Sequence, residues 1–402
     1  MSAVLVAGQR PPVWLVVLAA LTAIGPLSID MYLPAFPTMA AELEVEGGAI
    51  EGTLASFFIG LALGQLAYGP LSDRFGRKSP LYFGLALYVV ASVACVLAPT
   101  VESLQGWRFV QALGGCGGMV IARAVIRDRC DPRSAARAFS LLMLIMGVAP
   151  ILAPLAGSLV LSVAGWRWIF AVLALFGALL LLWVHVSMEE SLPAAEVKPL
   201  RWGSMFSSYA DTLGDGRFTS YALCMALVQA GMFAYITGSP FVLISLYGVP
   251  AEHYGWIFGL NSLGLIGAAH LNQRWISRWG VEGVLYRALW LPALCGVVSA
   301  ALAWLGMASL WTVWLGFFGF LAGVGSLGPT AGALALAHQG QRAGTASALM
   351  GGLQFGLGTL AGLLLSVWHD GSARPLVTVM AICGIGGLLV YLGWARRHAA
   401  VA

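Results

Sequence analysis

Charge is what this sequence has least of. Asp, Glu, Lys and Arg together make up 9% of the 402 residues, against roughly 25% in ordinary globular proteins. Apolar residues account for 59%, and the mean hydropathy is +0.86. There is too little polar surface to clothe a water-soluble body of this size. That excludes a soluble enzyme, a nucleic-acid binder and a disordered regulator. The net charge of +4 is no nucleic-acid footprint, because the basic residues sit in short loops rather than on one face. Six cysteines (Cys95, Cys116, Cys130, Cys224, Cys295 and Cys383) are scattered singly, without CxxC spacing or a cysteine–histidine cluster. They read as small buried apolar residues. The six histidines do not cluster either, so neither a metal nor a cofactor is expected. The phosphate loop Gly-x-x-x-x-Gly-Lys-Ser/Thr is missing, so ATP is not the expected energy source. No convincing small-residue cleavage site follows the first apolar run, so that run is expected to remain as a span.

What the sequence has instead is long apolar runs. Only helices or closed barrels satisfy their backbone groups inside a bilayer. Barrel strands would show as alternating segments of roughly ten residues. The runs here last about 18 to 25 residues, enough to cross a hydrocarbon core of about 30 Å as a helix. Twelve are predicted, near 12–35, 50–71, 80–98, 104–125, 137–161, 167–187, 218–246, 253–272, 283–305, 311–336, 344–368 and 375–395. The fold class is an all-α membrane protein, and the bilayer itself is a partner.

Orientation follows from Lys and Arg in the short loops. With a cytoplasmic N-terminus, the inside segments hold Arg10, Arg74, Arg77, Lys78, Arg127, Arg129, Arg133, Arg137, Lys198, Arg201, Arg217, Arg274, Arg278, Arg342, Arg396 and Arg397. The outside loops hold only Arg167 and Arg374. Twelve spans then put both termini in the cytoplasm.

The one long polar stretch, 188–217, divides the chain into an N-terminal six-helix bundle (1–187), a cytoplasmic linker (188–217) and a C-terminal bundle (218–402). The halves repeat at an offset of about 205 residues. Arg137 corresponds to Arg342, and Leu155-Ala156-Gly157 to Leu360-Ala361-Gly362. Asp73-Arg74-Phe75-Gly76 lines up with Ser277-Arg278-Trp279-Gly280. Two similar halves meeting at a pseudo-two-fold axis can rock about a midplane site and give alternating access, which points to a secondary transporter.

Asp30 lies roughly 25 Å along the first span, in its outer third. An ionisable group there marks a functional site by default, and desolvation would raise its pKa toward neutrality. The alternative is an interfacial acid before Pro34, wetted from outside. Arg108 enters the fourth span at a similar depth. A guanidinium cannot shed its charge, so it needs an anionic partner or a lined cavity, with Asp30 or Gln111 as the partner, unless it snorkels to the interface. In Gly69-Pro70-Leu71-Ser72-Asp73-Arg74-Phe75-Gly76-Arg77-Lys78, the glycines are expected to permit a tight turn. Asp73 is expected to cap a helix, and the basic residues to pair with acids such as Asp128. Gly147, Pro150, Pro154 and Gly157 in the fifth span suit close contact and kinking at a moving interface, although membrane helices in general tolerate both residues. Tyr221, Gln229, Phe233, Tyr235, Asn261 and Gln354 are polar or aromatic residues that line a cavity or act as helix-packing glue and interfacial anchors. A charged substrate-binding residue deep in a span is hard to find apart from Asp30, which favours large, apolar or weakly polar substrates over sugars and multiply charged ions.

These residues resemble the major facilitator superfamily over essentially the whole chain. Gly69, Leu71, Asp73, Arg74, Gly76, Arg77 and Lys78 match its signature between spans two and three. Arg108-Phe-Val-Gln111-Ala-Leu-Gly114 resembles the fourth-helix motif of proton-driven members. The run 147–157 is similar to the fifth-helix antiporter motif, with Ala149-Pro150 and Ala153-Pro154 where Gly-Pro is expected. Ser28-x-Asp30-Met31-Tyr32-Leu33-Pro34 resembles the bicyclomycin/chloramphenicol-resistance (Bcr/CflA) drug:proton antiporters of bacterial inner membranes. The resemblance implies efflux of a lipophilic drug, chloramphenicol- or bicyclomycin-like, in exchange for protons, by a monomer that is not an enzyme and has no nucleic-acid partner. Asp30 would carry the proton and Arg108 tune it, with Tyr32 and Gln111 joining the substrate cavity. Asp73, Arg77 and Asp128 would form an inside charge network that closes the outward-facing state. Some relatives bear a second acid two turns before Asp30; Thr22 stands there in this chain, implying one proton per cycle. The alternative function is a proton-coupled exporter or importer of one metabolite, such as a sugar, amino acid or short peptide.

Overall fold

The computed structural model describes residues 12–193, 195, 197 and 202–399. Arg10, Lys198 and Arg201 lie outside the described residues. The described chain is helical: α1 (Val13–Asp30), α2 (Phe36–Glu42), α3 (Gly47–Phe75), α4 (Lys78–Val96), α5 (Val101–Arg129), α6 (Pro132–Ala164), α7 (Trp166–Ser187), α8 (Trp202–Gly214), α9 (Gly216–Pro240), α10 (Ala251–Trp304), α11 (Leu310–Leu336), α12 (Ala343–Val367), α13 (Arg374–Val390) and α14 (Arg396–Ala399).

Among the described residues, eleven helical stretches are long and apolar enough to cross a membrane, against the twelve runs in the sequence. The difference is α10, whose 54 residues would reach about 81 Å at 1.5 Å per residue, more than twice the hydrocarbon core. It is broken at Gly280, where φ is 69° and ψ 170°, and so holds the spans expected at 253–272 and 283–305. With α10 counted as two, the described residues hold twelve candidate crossings. Large apolar side chains such as Val163 and Val367 are more than three-quarters exposed, a surface suited to lipid rather than water.

The internal repeat reappears in the backbone. Gly76 has φ 80° and ψ 172°, nearly the conformation of Gly280, its counterpart 204 positions later. Both sit in the left-handed region closed to side chains with a Cβ. The packing repeats as well: α1 lies on α6 as α9 lies on α12, and the halves meet where α3 packs on α12 and α6 on α10. Two pseudo-symmetric six-helix bundles are thus joined face to face. The end that carries the Gly76 turn is called the basic end below, and the opposite one the far end.

Candidate functional site

Asp30 is the last residue of α1, which gives way to the turn at Met31 and Tyr32. It is 3% exposed, and its Oδ1 is buried without a hydrogen-bond partner. Unpaired polar atoms of this kind are rare in folded proteins and ask for an explanation. The carboxyl faces a cavity of about 90 Å³ between the halves, lined by Gly147 and Pro150 of α6, Met232 and Tyr235 of α9, and Phe258 of α10. That volume holds a few waters and is well short of the roughly 300 Å³ at which drug-sized pockets begin. Across it, Tyr235 accepts a hydrogen bond from Asn261 Nδ2 (3.0 Å) and packs on Phe258 and Phe317. Asn261 Oδ1 is also buried without a partner.

Arg108 is completely buried, and no ion pair joins it to Asp30. Residues 28 and 30 lie about 200° apart around a helix. Asp30 therefore faces the cavity, while Ser28 turns its carbonyl to α5 and accepts from Arg108 Nη2 at 2.8 Å. Of the two partners the sequence offered, Gln111 is the one engaged: its Oε1 accepts from Arg108 Nη1 at 2.5 Å. Gln111 Nε2 donates to Ser92 Oγ (2.7 Å), and Ser28 Oγ lies 2.7 Å from the hydroxyl of Tyr88. The guanidinium carbon sits over the rings of Phe57 (4.1 Å), Tyr32 (4.3 Å) and Phe170 (5.6 Å). An aromatic face stabilises a desolvated cation by about 2 kcal/mol or more. Tyr32 and Gln111 thus belong to a cradle for Arg108 rather than to the lining of the Asp30 cavity.

The other residues expected at a cavity are spread out. Phe233 stacks on Phe355 and lies tilted against Phe58 in a cluster that crosses between the halves. Gln354 donates to Met225 Sδ at 3.6 Å. Gln229 is half-buried on α9. Tyr221 is bound to Glu282 near the basic end. Only Tyr235, with Gly147 and Pro150, shares the Asp30 cavity.

The fifth span touches both halves. A Cβ at Gly157 would lie 1.7 Å from the Met31 carbonyl oxygen, so α6 passes α1 too closely for any side chain. On its other side, Ser158 Oγ donates to the Ala251 carbonyl at 3.0 Å, and Leu155 abuts Gly255 of α10. Pro154 is buried.

The signature segment is mostly helix. Residues 69–75 are the last two turns of α3, and Lys78 opens α4. A Cβ at Gly69 would meet nothing within 4 Å, so that glycine makes no tight turn; it lines a second cavity, of about 470 Å³, between α3, α5 and α12 beneath α8. Gly76 alone turns the chain. Asp73 caps no helix start: it accepts from Arg77 Nη1 at 2.6 Å. Arg77 also grips Asp128 with Nε (2.8 Å) and Nη2 (3.3 Å). Arg74 is exposed over the ring of Phe75.

Glu190 completes this network and was not singled out from sequence. Its carboxylate accepts from the backbone N–H groups of Arg77 (2.9 Å), Lys78 (3.0 Å), Ser191 (2.9 Å) and Leu192 (3.0 Å), at the electropositive start of α4. Burial pushes the carboxyl up, but those four donors outweigh it and hold the pKa below the usual glutamate value. A depressed carboxylate contributes stability above its unfolded pKa of about 4.3, and that stability is lost as pH falls through the lower folded value. Thermal unfolding across pH 3 to 6 (values on the order of the glutamate range) is therefore expected to fall more steeply on the acid side in wild type than in Glu190→Gln.

The family model described as the Major Facilitator Superfamily matches residues 18–363, and the chain belongs to that superfamily: it is a multi-pass membrane transporter, not an enzyme. Its relatives include an uncharacterized MFS-type transporter, YdgK, of Bacillus subtilis strain 168, 34% identical over 95% of both chains. A bicyclomycin resistance protein homolog of Haemophilus influenzae is 29% identical, covering 96% of this chain and 97% of its own. Among solved structures, the crystal structure of a D-xylose-proton symporter superposes with a TM-score of 0.74 at 14% identity, over 95% of this chain and 98% of that one.

Proposed function

We propose that the chain is a drug exporter of the bacterial inner membrane that exchanges a lipophilic, neutral or weakly charged compound of the chloramphenicol or bicyclomycin kind for one proton by alternating access. The observation that carries this reading is the Asp30 carboxyl, buried with Oδ1 unpartnered at a cavity shared by both halves. A group that alternates between charged and neutral cannot have a fixed partner for one form without losing the other. The name of the Haemophilus relative supports an antibiotic cargo. Thr22 is buried and donates its hydroxyl to the Ala19 carbonyl at 2.7 Å, so no second carboxyl stands on α1 beside Asp30, consistent with one proton per cycle.

In this reading the basic end faces the cytoplasm by the positive-inside rule, with both termini there. The protein works as a monomer of two rocking units, 1–187 and 218–402, joined by the linker 188–217. The cavity under α8, within the volume range of ligand sites, is the cytoplasmic vestibule. Asp73, Arg77 and Asp128 hold the basic end of the N-terminal half as a rigid piece that docks when the inside closes.

Because drug and proton compete, drug affinity of purified protein is expected to fall as pH drops, approaching tenfold per pH unit once Asp30 protonates. Asp30→Asn is expected to lose that competitive fall. An Asp30→Asn protein that keeps the wild-type slope would contradict the assignment.

A further inference from the structure

At the far end, a second carboxyl is buried that the proposed transport cycle does not use. Glu51 stands one turn into α3, with its side chain only 4% exposed. Its Oε2 is buried without a partner, while Oε1 lies 3.9 Å from Nδ1 of His369. His369 follows α12 and belongs to the other half. Its ring stands edge-on to Phe241, with centroids 4.3 Å apart, and a Cβ at Gly47 would come within 3.2 Å of it. Around the pair the halves are in direct contact. Ser366 Oγ donates to the Gly48 carbonyl at 2.6 Å, and a Cβ at Gly48 would lie 2.5 Å from the Ser366 carbonyl oxygen. Glu51 and His369 can be this close only while the far end is shut.

Of the other charged groups at the far end, Glu46 at the N-cap of α3 and Glu102 in the first turn of α5 are exposed. Glu42 of α2 binds Arg167 at 2.6 Å and the indole of Trp166. Asp370 accepts from the backbone and side chain of Ser372. Tyr32 binds Thr53. From α5 the side chain that reaches this region is Gln105, which is neutral and donates to the Ala49 carbonyl at 3.1 Å. The segment after α9 contributes Phe241.

We infer that Glu51 and His369 form a second proton-binding site, a latch that shuts the far end only when the pair holds one proton. With the far end open, water solvates an ionised Glu51 and a neutral His369, and the pair carries one negative charge at neutral pH. Closing removes that charge from water with nothing to balance it, which costs several kcal/mol. Taking one proton from the far-side water makes the pair neutral in either arrangement, protonated carboxyl with neutral imidazole or carboxylate with imidazolium. Closure and proton uptake are therefore linked, and the closed-to-open ratio rises as pH falls. In an exporter whose far end faces outside, such a latch opposes closing before a proton has arrived.

The test uses the full chain in lipid nanodiscs, without drug and in an Asp30→Asn background, so that it stands whether or not the proposed role of Asp30 holds. Spin labels at Ala41→Cys on α2 and Met307→Cys after α10, both exposed and at the far end, with the native cysteines replaced by alanine, report the distance between the halves. Between about pH 8.5 and pH 5.5, a range that brackets the ordinary histidine value, the closed-to-open ratio is expected to rise, approaching tenfold per pH unit. Glu51→Gln is expected to stay closed at high pH and to lose that rise, because Gln with a neutral imidazole needs no proton. His369→Gln is expected to shift the rise toward the ordinary glutamate range near pH 4.3. A flat wild-type ratio, or a Glu51→Gln protein that keeps the wild-type slope, would overturn the latch.

Discussion

Asp30→Asn is expected to leave a folded transporter that cannot use the membrane potential. Asp30 Oδ1 has no hydrogen-bond partner, so an amide of the same shape forfeits no bond there and the fold should be kept. One charge moving through about 100 mV releases about 2.3 kcal/mol. At 1.4 kcal/mol per factor of ten, an exchanger that trades one proton for a neutral compound sustains roughly a fortyfold concentration ratio. In Asp30→Asn vesicles the ratio is expected to collapse to one, with entry continuing only downhill. Substrate uptake measured under a potassium diffusion potential reads this directly, and a wild-type ratio in the variant would remove Asp30 from the coupling.

The second large effect is expected at Arg108, and it separates positioning from direct charge pairing. Arg108 holds the Ser28 carbonyl, two residues before Asp30 on α1, at 2.8 Å, and we propose that it acts on Asp30 through that backbone contact. A hydrogen bond from a charged donor contributes about 1.5–3 kcal/mol. Losing that anchor reduces the population of the correct last turn by roughly ten- to a hundredfold. In Arg108→Met, the sulfur chain fills much of the space among Phe57, Tyr32 and Phe170, and a buried unpaired charge is removed. These gains offset the loss of partners for Gln111 and Ser28. Thermal unfolding should therefore move little, while transport falls at least tenfold, an estimate that follows from the lost anchor. Arg108→Lys keeps the charge but not the fork that reaches Gln111 and Ser28 together, so it too is expected to fail. Wild-type transport by Arg108→Met would show that the anchor is unnecessary.

The architecture was legible because its signals are long. Apolar runs near 20 residues, one polar interruption and a repeated Arg-aromatic-Gly step fix twelve crossings in two halves, and the backbone at Gly76 and Gly280 repeats that symmetry. The site was legible only in part. Asp30 stands out as a carboxyl within an apolar run. Its neighbours depend on which way each helix is rotated and on where α1 stops, and neither follows from composition. Equal depth points to a pairing of Asp30 with Arg108, yet the 200° between residues 28 and 30 turns Asp30 to the cavity and Ser28 to Arg108. Glu51 had a visible signal, a carboxyl in the first turn of a predicted span. Its partner could not be seen, since His369 lies 318 residues away and only closure of the halves brings them together. Glu190 sits in a polar linker and is identified only by the backbone amides that converge on it.

The most direct test of the exchange is a proton measurement on wild-type protein in proteoliposomes that contain an internal pH dye and start with no pH gradient and no potential. Adding a chloramphenicol-like compound outside should drive it inward and push protons out, so the lumen becomes alkaline, and Asp30→Asn vesicles should give no signal. Entry of the compound with no pH change, or with acidification of the lumen, would contradict drug–proton exchange.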